Sequence, residues 1–100
     1  MIFLSYSWAD AFCVHQYAKK LIYNNRKIWI DILNLDLSKE IKEQIENAII
    51  KSSHLQIIDS SNSRHSPWVK FEIDIAQKTN TPILCTNYKK ISELLIFQKI

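Results

Sequence analysis

Four short apolar runs, each closed by a polar segment, set the pattern of this chain. Ile2-Phe3-Leu4, Ile28-Trp29-Ile30, Leu55-Gln56-Ile57-Ile58 and Thr81-Pro82-Ile83-Leu84-Cys85 read as strands, and a proline is tolerated where a strand begins. The intervening stretches carry apolar residues at helical spacing. Val14, Ala18, Leu21 and Ile22 predict a helix over about 9–23, opened by a capping-box-like pair, Ser7 and Asp10. Residues 34–37 read as loop. Ser38 then caps a helix whose inward stripe is Ile41, Ile45, Ala48 and Ile49, while Lys42, Glu43 and Glu46 face away. The polar loop Asp59–His65 leads to Ser66-Pro67, a capping hydroxyl followed by a proline at the first turn, and so to a helix reaching about Lys78. Ile91, Leu94 and Leu95 predict one or two further helical turns, and 96–100 a last short strand.

Strands and helices therefore alternate, and the strands are continuously apolar. Such strands are buried on both faces, which predicts a parallel sheet covered by helices on each side. The expected architecture is α/β: a flavodoxin-like three-layer sandwich with a central parallel sheet of four to five strands in the order 2-1-3-4-5. One hundred residues without linkers, repeats or low-complexity tracts make one domain spanning 1–100.

Composition narrows the chemistry. The chain is 47% hydrophobic and 23% charged, ordinary for a globular protein. No apolar run approaches the ~20 residues that span a bilayer. The opening residues lack a basic segment and a cleavage site, so the chain reads as cytoplasmic, with no membrane partner. The net charge of +3 is spread over separated lysines, a solvated surface rather than a nucleic-acid stripe. Cys13 and Cys85 read as reduced, buried thiols. His15, His54 and His65 lack the spacing of a zinc site, so no metal is expected. Glycine is absent, which excludes phosphate-binding loops that need its backbone freedom. Asn24-Asn25 and Asn80 are left to supply left-handed turns.

In a doubly wound sheet, ligands bind where strand order reverses, outside the carboxyl ends of the strands. For the expected order that crevice lies between the first and third strands. The loops there are Ser5-Tyr6-Ser7-Trp8 and Asp59 to Trp68, the most polar and aromatic of the chain. Trp68 and Glu72 lie four apart on one helix face. A carboxyl beside a buried tryptophan has a raised pKa and suits acid–base work or stabilisation of a developing cation. The opposing reading makes Trp68 core and Glu72 a solvated helix residue. Tyr6 and Trp8 are pocket walls or plain packing. His65 is a surface residue or a ligand contact. Asp31 and Asp36 flank the loop after the second strand as capping and turn residues, or, for Asp36, as part of a substrate-binding set.

Several segments, in order, resemble the boxes of the Toll/interleukin-1 receptor (TIR) domain of the bacterial kind. They are Phe3-Leu4-Ser5-Tyr6-Ser7 with Asp10; Ile28-Trp29-Ile30-Asp31 with 34–38, the so-called BB loop; Glu46-Asn47-Ala48-Ile49-Ile50-Lys51-Ser52; and Ser66-Pro67-Trp68 with Glu72-Ile73 and Ala76. The chain departs from the pattern at Leu37-Ser38, where the BB loop usually carries a glycine, and at Asp59-Ser60, where a plainer serine is common. It also ends near the expected fifth strand.

Many bacterial TIR domains cleave NAD+ at the nicotinamide–ribose bond, and the resemblance makes Glu72 the catalytic residue. It implies NAD+ as substrate rather than resident cofactor. Trp8 and Trp68 would stack on a ring, with Tyr6 beside them. Ser5, Ser7 and Ser66 would bond ribose or phosphate oxygens, and Arg64 would neutralise a phosphate. The product would be ADP-ribose or a cyclic ADP-ribose, as in Thoeris-type anti-phage defence. Two other readings stand beside this one. One is a non-catalytic module assembling with itself or other TIR domains. The other is a deoxyribosyltransferase-like enzyme acting on deoxynucleosides.

Overall fold

The structure is a computed structural model and describes residues 1–97. Its elements are β1 (Ile2–Ser5), α1 (Ala11–Tyr23), β2 (Ile28–Trp29), α2 (Asp31–Asn34), α3 (Ile41–Lys51), β3 (His54–Asp59), α4 (Ser61–Arg64), α5 (Pro67–Lys78), β4 (Ile83–Asn87) and α6 (Tyr88–Phe97). The strands form one parallel sheet in the order β2-β1-β3-β4. The expected α/β sandwich with helices on both faces is thus present, with four strands. Ile96 and Phe97 continue α6 instead of opening a fifth strand, and 98–100 lie outside the described residues.

Alternation along β1 sorts the core into two layers, because successive side chains point to opposite faces. Ile2, Leu4 and Tyr6 pack with Cys13, Val14 and Ala18 of α1 and with Ile91 of α6. Phe3 faces the other side with Trp29, Ile45, Ala48 and Ile49 of α3, and Val69, Ile75 and Ala76 of α5. Phe3 and Trp29 are register partners on neighbouring strands, and their rings stack at 4.6 Å with 7° between planes. Ser5 shares the face of Phe3 and so points toward α5.

Glycine-free helix ends are closed by asparagine. Asn25 (φ 62°) and Asn80 (φ 56°) take the left-handed conformation, and Asn24 does not. Behind them Arg26 N–H reaches Leu21 O, and Thr81 N–H reaches Ala76 O, both at 2.9 Å.

Local details differ from the sequence reading for identifiable reasons. A 3-10 turn, Trp8–Asp10, precedes α1; Ser7 caps it by accepting from Ala9 N–H, and the Asp10 carboxylate is engaged elsewhere instead of closing a capping box. Glu40, not Ser38, caps α3, because Ser38 is bonded to Asp36. Residues 31–34 form a helical turn, and the polar loop after β3 contains α4, closed by a reciprocal Ser60–Ser63 capping box. Cys85 is exposed, and so is Leu84. Both lie on β4, which among the described residues is one of the two sheet edges and has a neighbouring strand on one side only.

Candidate functional site

The carboxyl ends of β1, β2 and β3 converge where three loops meet. The α5 stripe that faces the sheet is Val69, Glu72, Ile75 and Ala76. A carboxylate therefore occupies a position where helical spacing calls for an apolar residue. Glu72 is only 9% exposed, and its Oε1 accepts a 2.8 Å hydrogen bond from Ser5 Oγ. Burial pushes its pKa up to about 8; the Ser5 hydroxyl opposes that rise, and the charge of Asp31 adds to it.

Glu72 lines a narrow cavity of about 110 Å³ between Tyr6, Trp8, Trp29, Leu37 and Trp68. Two wider clefts flank it. One, of about 370 Å³, is the most polar of the three and runs past Ser7, Trp8, Asn62, His65, Ser66 and Trp68. The other, of about 390 Å³, is mostly apolar and lies between Trp8, His15, Ile32, Leu35 and Leu37. Trp8 (70% exposed) and Trp68 (43% exposed) stand at the mouth. Trp68 is braced edge-on by Phe71, with ring centroids 5.7 Å apart.

The sequence-derived residues divide into two groups. Ser5, Tyr6, Ser7, Trp8, Ser66, Trp68 and Glu72 gather here. Ser5 is buried beneath the cavity as the partner of Glu72, and Ser66 caps α5 by accepting from Val69 N–H while lining the polar cleft. Arg64 and Asp36 do not line these cavities. Arg64 forms a bidentate pair with Asp59 at 3.1 and 2.8 Å, which holds the Asp59 carboxyl below the usual carboxylate range. Asp36 accepts from both the backbone and the hydroxyl of Ser38, in the exposed loop before α3. In both cases the charge is taken by a partner close in sequence.

Other residues of the site were less legible. Asp31 Oδ1 accepts from the Tyr6 hydroxyl at 2.6 Å, and its Oδ2 accepts from Trp8 Nε1 at 2.7 Å. Burial, with Asp31 next, raises the Tyr6 phenol far above its ordinary pKa. Buried Asp10 accepts from Ser60 Oγ and, at 2.8 Å, from Asn62 Nδ2, and so ties the loop after β1 to the loop after β3. A carboxylate near a helix start reads as a cap from sequence alone; partners 52 positions away leave no local signal. Chemically, the arrangement offers one desolvated carboxyl, a hydroxyl that orients it, flat aromatic walls and a polar approach.

Comparison with known proteins agrees with this geometry. A sequence profile described as the TIR domain matches residues 2–95. No curated protein matches the sequence. Among solved structures, the TIR domain of the Toll-related receptor TRR-2 from Hydra magnipapillata superposes with a TM-score of 0.74 at 16% identity. That match covers 84% of this chain and 66% of the other, so the chain spans just under two thirds of that domain. At this identity the likeness is one of fold; together with the profile over nearly the whole sequence, it places the chain in the TIR domain family.

Proposed function

We propose that this TIR domain cleaves NAD+ at the nicotinamide–ribose bond, with Glu72 as the catalytic residue. The observation that carries the reading is a buried carboxyl on the sheet-facing stripe of α5, oriented by Ser5 and opening into a cavity walled by Trp8, Trp29 and Trp68. In the reaction, the C–N bond to nicotinamide breaks and its electron pair leaves with neutral nicotinamide. Positive charge then develops on the ribose. An ionised Glu72 faces that charge in a water-poor site, where it counts for more than in solvent. Water attack at the ribosyl carbon, with loss of a proton, gives ADP-ribose. Attack by a nucleophile of the same molecule gives a cyclic ADP-ribose. NAD+ is positively charged at the nicotinamide ring, so its arrival favours the ionised form of Glu72. Ser7 and Ser66 line the polar cleft beside this cavity, where ribose or phosphate oxygens would lie. In the bacterial setting to which the sequence resemblance points, the product serves as a cytoplasmic signal in anti-phage defence.

A second reading is favoured by a separate observation. Ile32, Leu33 and Leu37 are exposed around the loop after β2, an apolar rim suited to assembly with another TIR domain. The Hydra relative is a receptor's TIR domain. Assembly and catalysis are compatible, and incubation with NAD+ separates catalysis from scaffolding alone. Nicotinamide release by the purified protein, in dilute and concentrated samples, supports the enzyme. Its absence in both leaves the scaffold.

A further inference from the structure

Trp8, with Tyr6, lines all three cavities, so the setting of this indole shapes each of them. It lies in a 3-10 turn and is mostly exposed, so packing alone restrains it little. A polar chain restrains it instead. Its Nε1–H donates to Asp31 Oδ2 at 2.7 Å. The other Asp31 oxygen accepts from Tyr6 Oη at 2.6 Å and from Ile32 N–H at 2.8 Å. His15 Nε2 stands 2.9 Å from Tyr6 Oη. Because that hydroxyl gives its proton to Asp31, the His15 nitrogen donates to it. The chain thus runs from α1 through the end of β1 to the start of α2 and fixes the aromatic wall from behind. None of its bonds involves Glu72.

We propose that Asp31 is a positioning residue for substrate: it holds the Trp8 ring in the orientation that a planar ring of NAD+ stacks upon, with Tyr6 and His15 fixing the carboxylate in turn. The inference rests on the NAD+ reading and deepens it. A preset wall removes the cost of ordering a mobile side chain when substrate binds. Loss of the wall's anchor therefore weakens binding more than it slows chemistry.

The test combines kinetics with the indole N–H resonances, of which Trp8 is assigned by its disappearance in Trp8→Phe. In Asp31→Ala the Trp8 N–H signal moves upfield on losing a charged acceptor. Measured at pH 9, where Glu72 is ionised with or without the Asp31 charge, KM for NAD+ rises about five- to tenfold while kcat stays within about twofold. Adding Asp31→Ala to Trp8→Phe raises KM little beyond Trp8→Phe alone, since both changes remove one device. Asp31→Asn, which keeps size and one acceptor oxygen, gives an intermediate shift and KM, and serves if the alanine variant does not fold. An active wild type whose KM is unchanged in these variants, or whose two substitutions multiply independently, overturns the positioning role alone. A wild type that releases no nicotinamide removes the NAD+ reading, and this role with it.

Discussion

The hydroxyl of Ser5 donates to Oε1 of Glu72 at 2.8 Å, joining the end of the first strand to the middle of the helix after the third across 67 positions of sequence. The bond orients a carboxyl that burial would otherwise leave without a polar partner. It also favours the charged form, against the desolvation that holds the pKa near 8.

A pH dependence of activity follows. In the proposed reaction the free protein must ionise Glu72 to stabilise ribosyl charge, so kcat/KM for NAD+ rises with pH and levels off above about 8. Once the positively charged nicotinamide ring is bound beside it the ionised form is favoured, so kcat reaches its plateau at lower pH. Steady-state kinetics from pH 5.5 to 9 check this; a kcat/KM profile already flat at pH 6 counts against a desolvated acid.

Stability carries the opposite sign. The folded chain keeps a proton on Glu72 that an unfolded chain, with an ordinary value of 4.5, has lost by neutral pH. This stabilising contribution is full below about 4.5 and is lost as pH rises through about 8, on the order of 3–6 kcal/mol in all. Glu72→Gln removes the dependence. The difference in melting temperature between wild type and Glu72→Gln should therefore shift toward the variant between pH 5 and 8.5. Parallel curves would show an acid that titrates normally.

Ser5→Ala removes the hydrogen bond that lowers the Glu72 pKa. The inflection in kcat/KM moves to higher pH and turnover at pH 7 falls several-fold, while activity above the new inflection recovers in part. An unshifted profile would make Ser5 a packing residue only.

Asp10→Ala cuts the tie to Ser60 and Asn62. Hydrogen bonds to a charged group contribute about 1.5–3 kcal/mol each, and the freed partners regain water, so a net loss of about 2–4 kcal/mol is expected in urea unfolding. Amide exchange across α4 should quicken more than across β1. Uniform exchange would mean that the tie does not hold that loop.

How far the sequence anticipated this molecule depends on the range of each signal. The four strands, their parallel pairing and the three long helices follow from runs and periods read within a few residues. The placement of Glu72 was legible only in part: its spacing from Trp68 put both on one helix face, but a solvated glutamate remained an open reading until the fold set it on the buried stripe of Val69, Ile75 and Ala76. Asp31 and Asp10 looked like caps because their partners lie 23 to 52 positions away and are brought close only by the fold. The local partners of Arg64 and Asp36 were not legible for the reverse reason: charges free in a linear reading are taken by Asp59 and Ser38 nearby. Cys85 read as buried because its run is apolar, and an edge strand exposes such a run.

The central claim is that the acid on α5 performs chemistry on NAD+. Its most direct test is a chromatogram of nucleotides after NAD+ is incubated with wild type and with Glu72→Gln at matched, high protein concentration. Nicotinamide with ADP-ribose or its cyclic form should accumulate with wild type, and fall at least about a hundredfold in a variant with unchanged circular dichroism. Equal product from both proteins, or none from either, would contradict it.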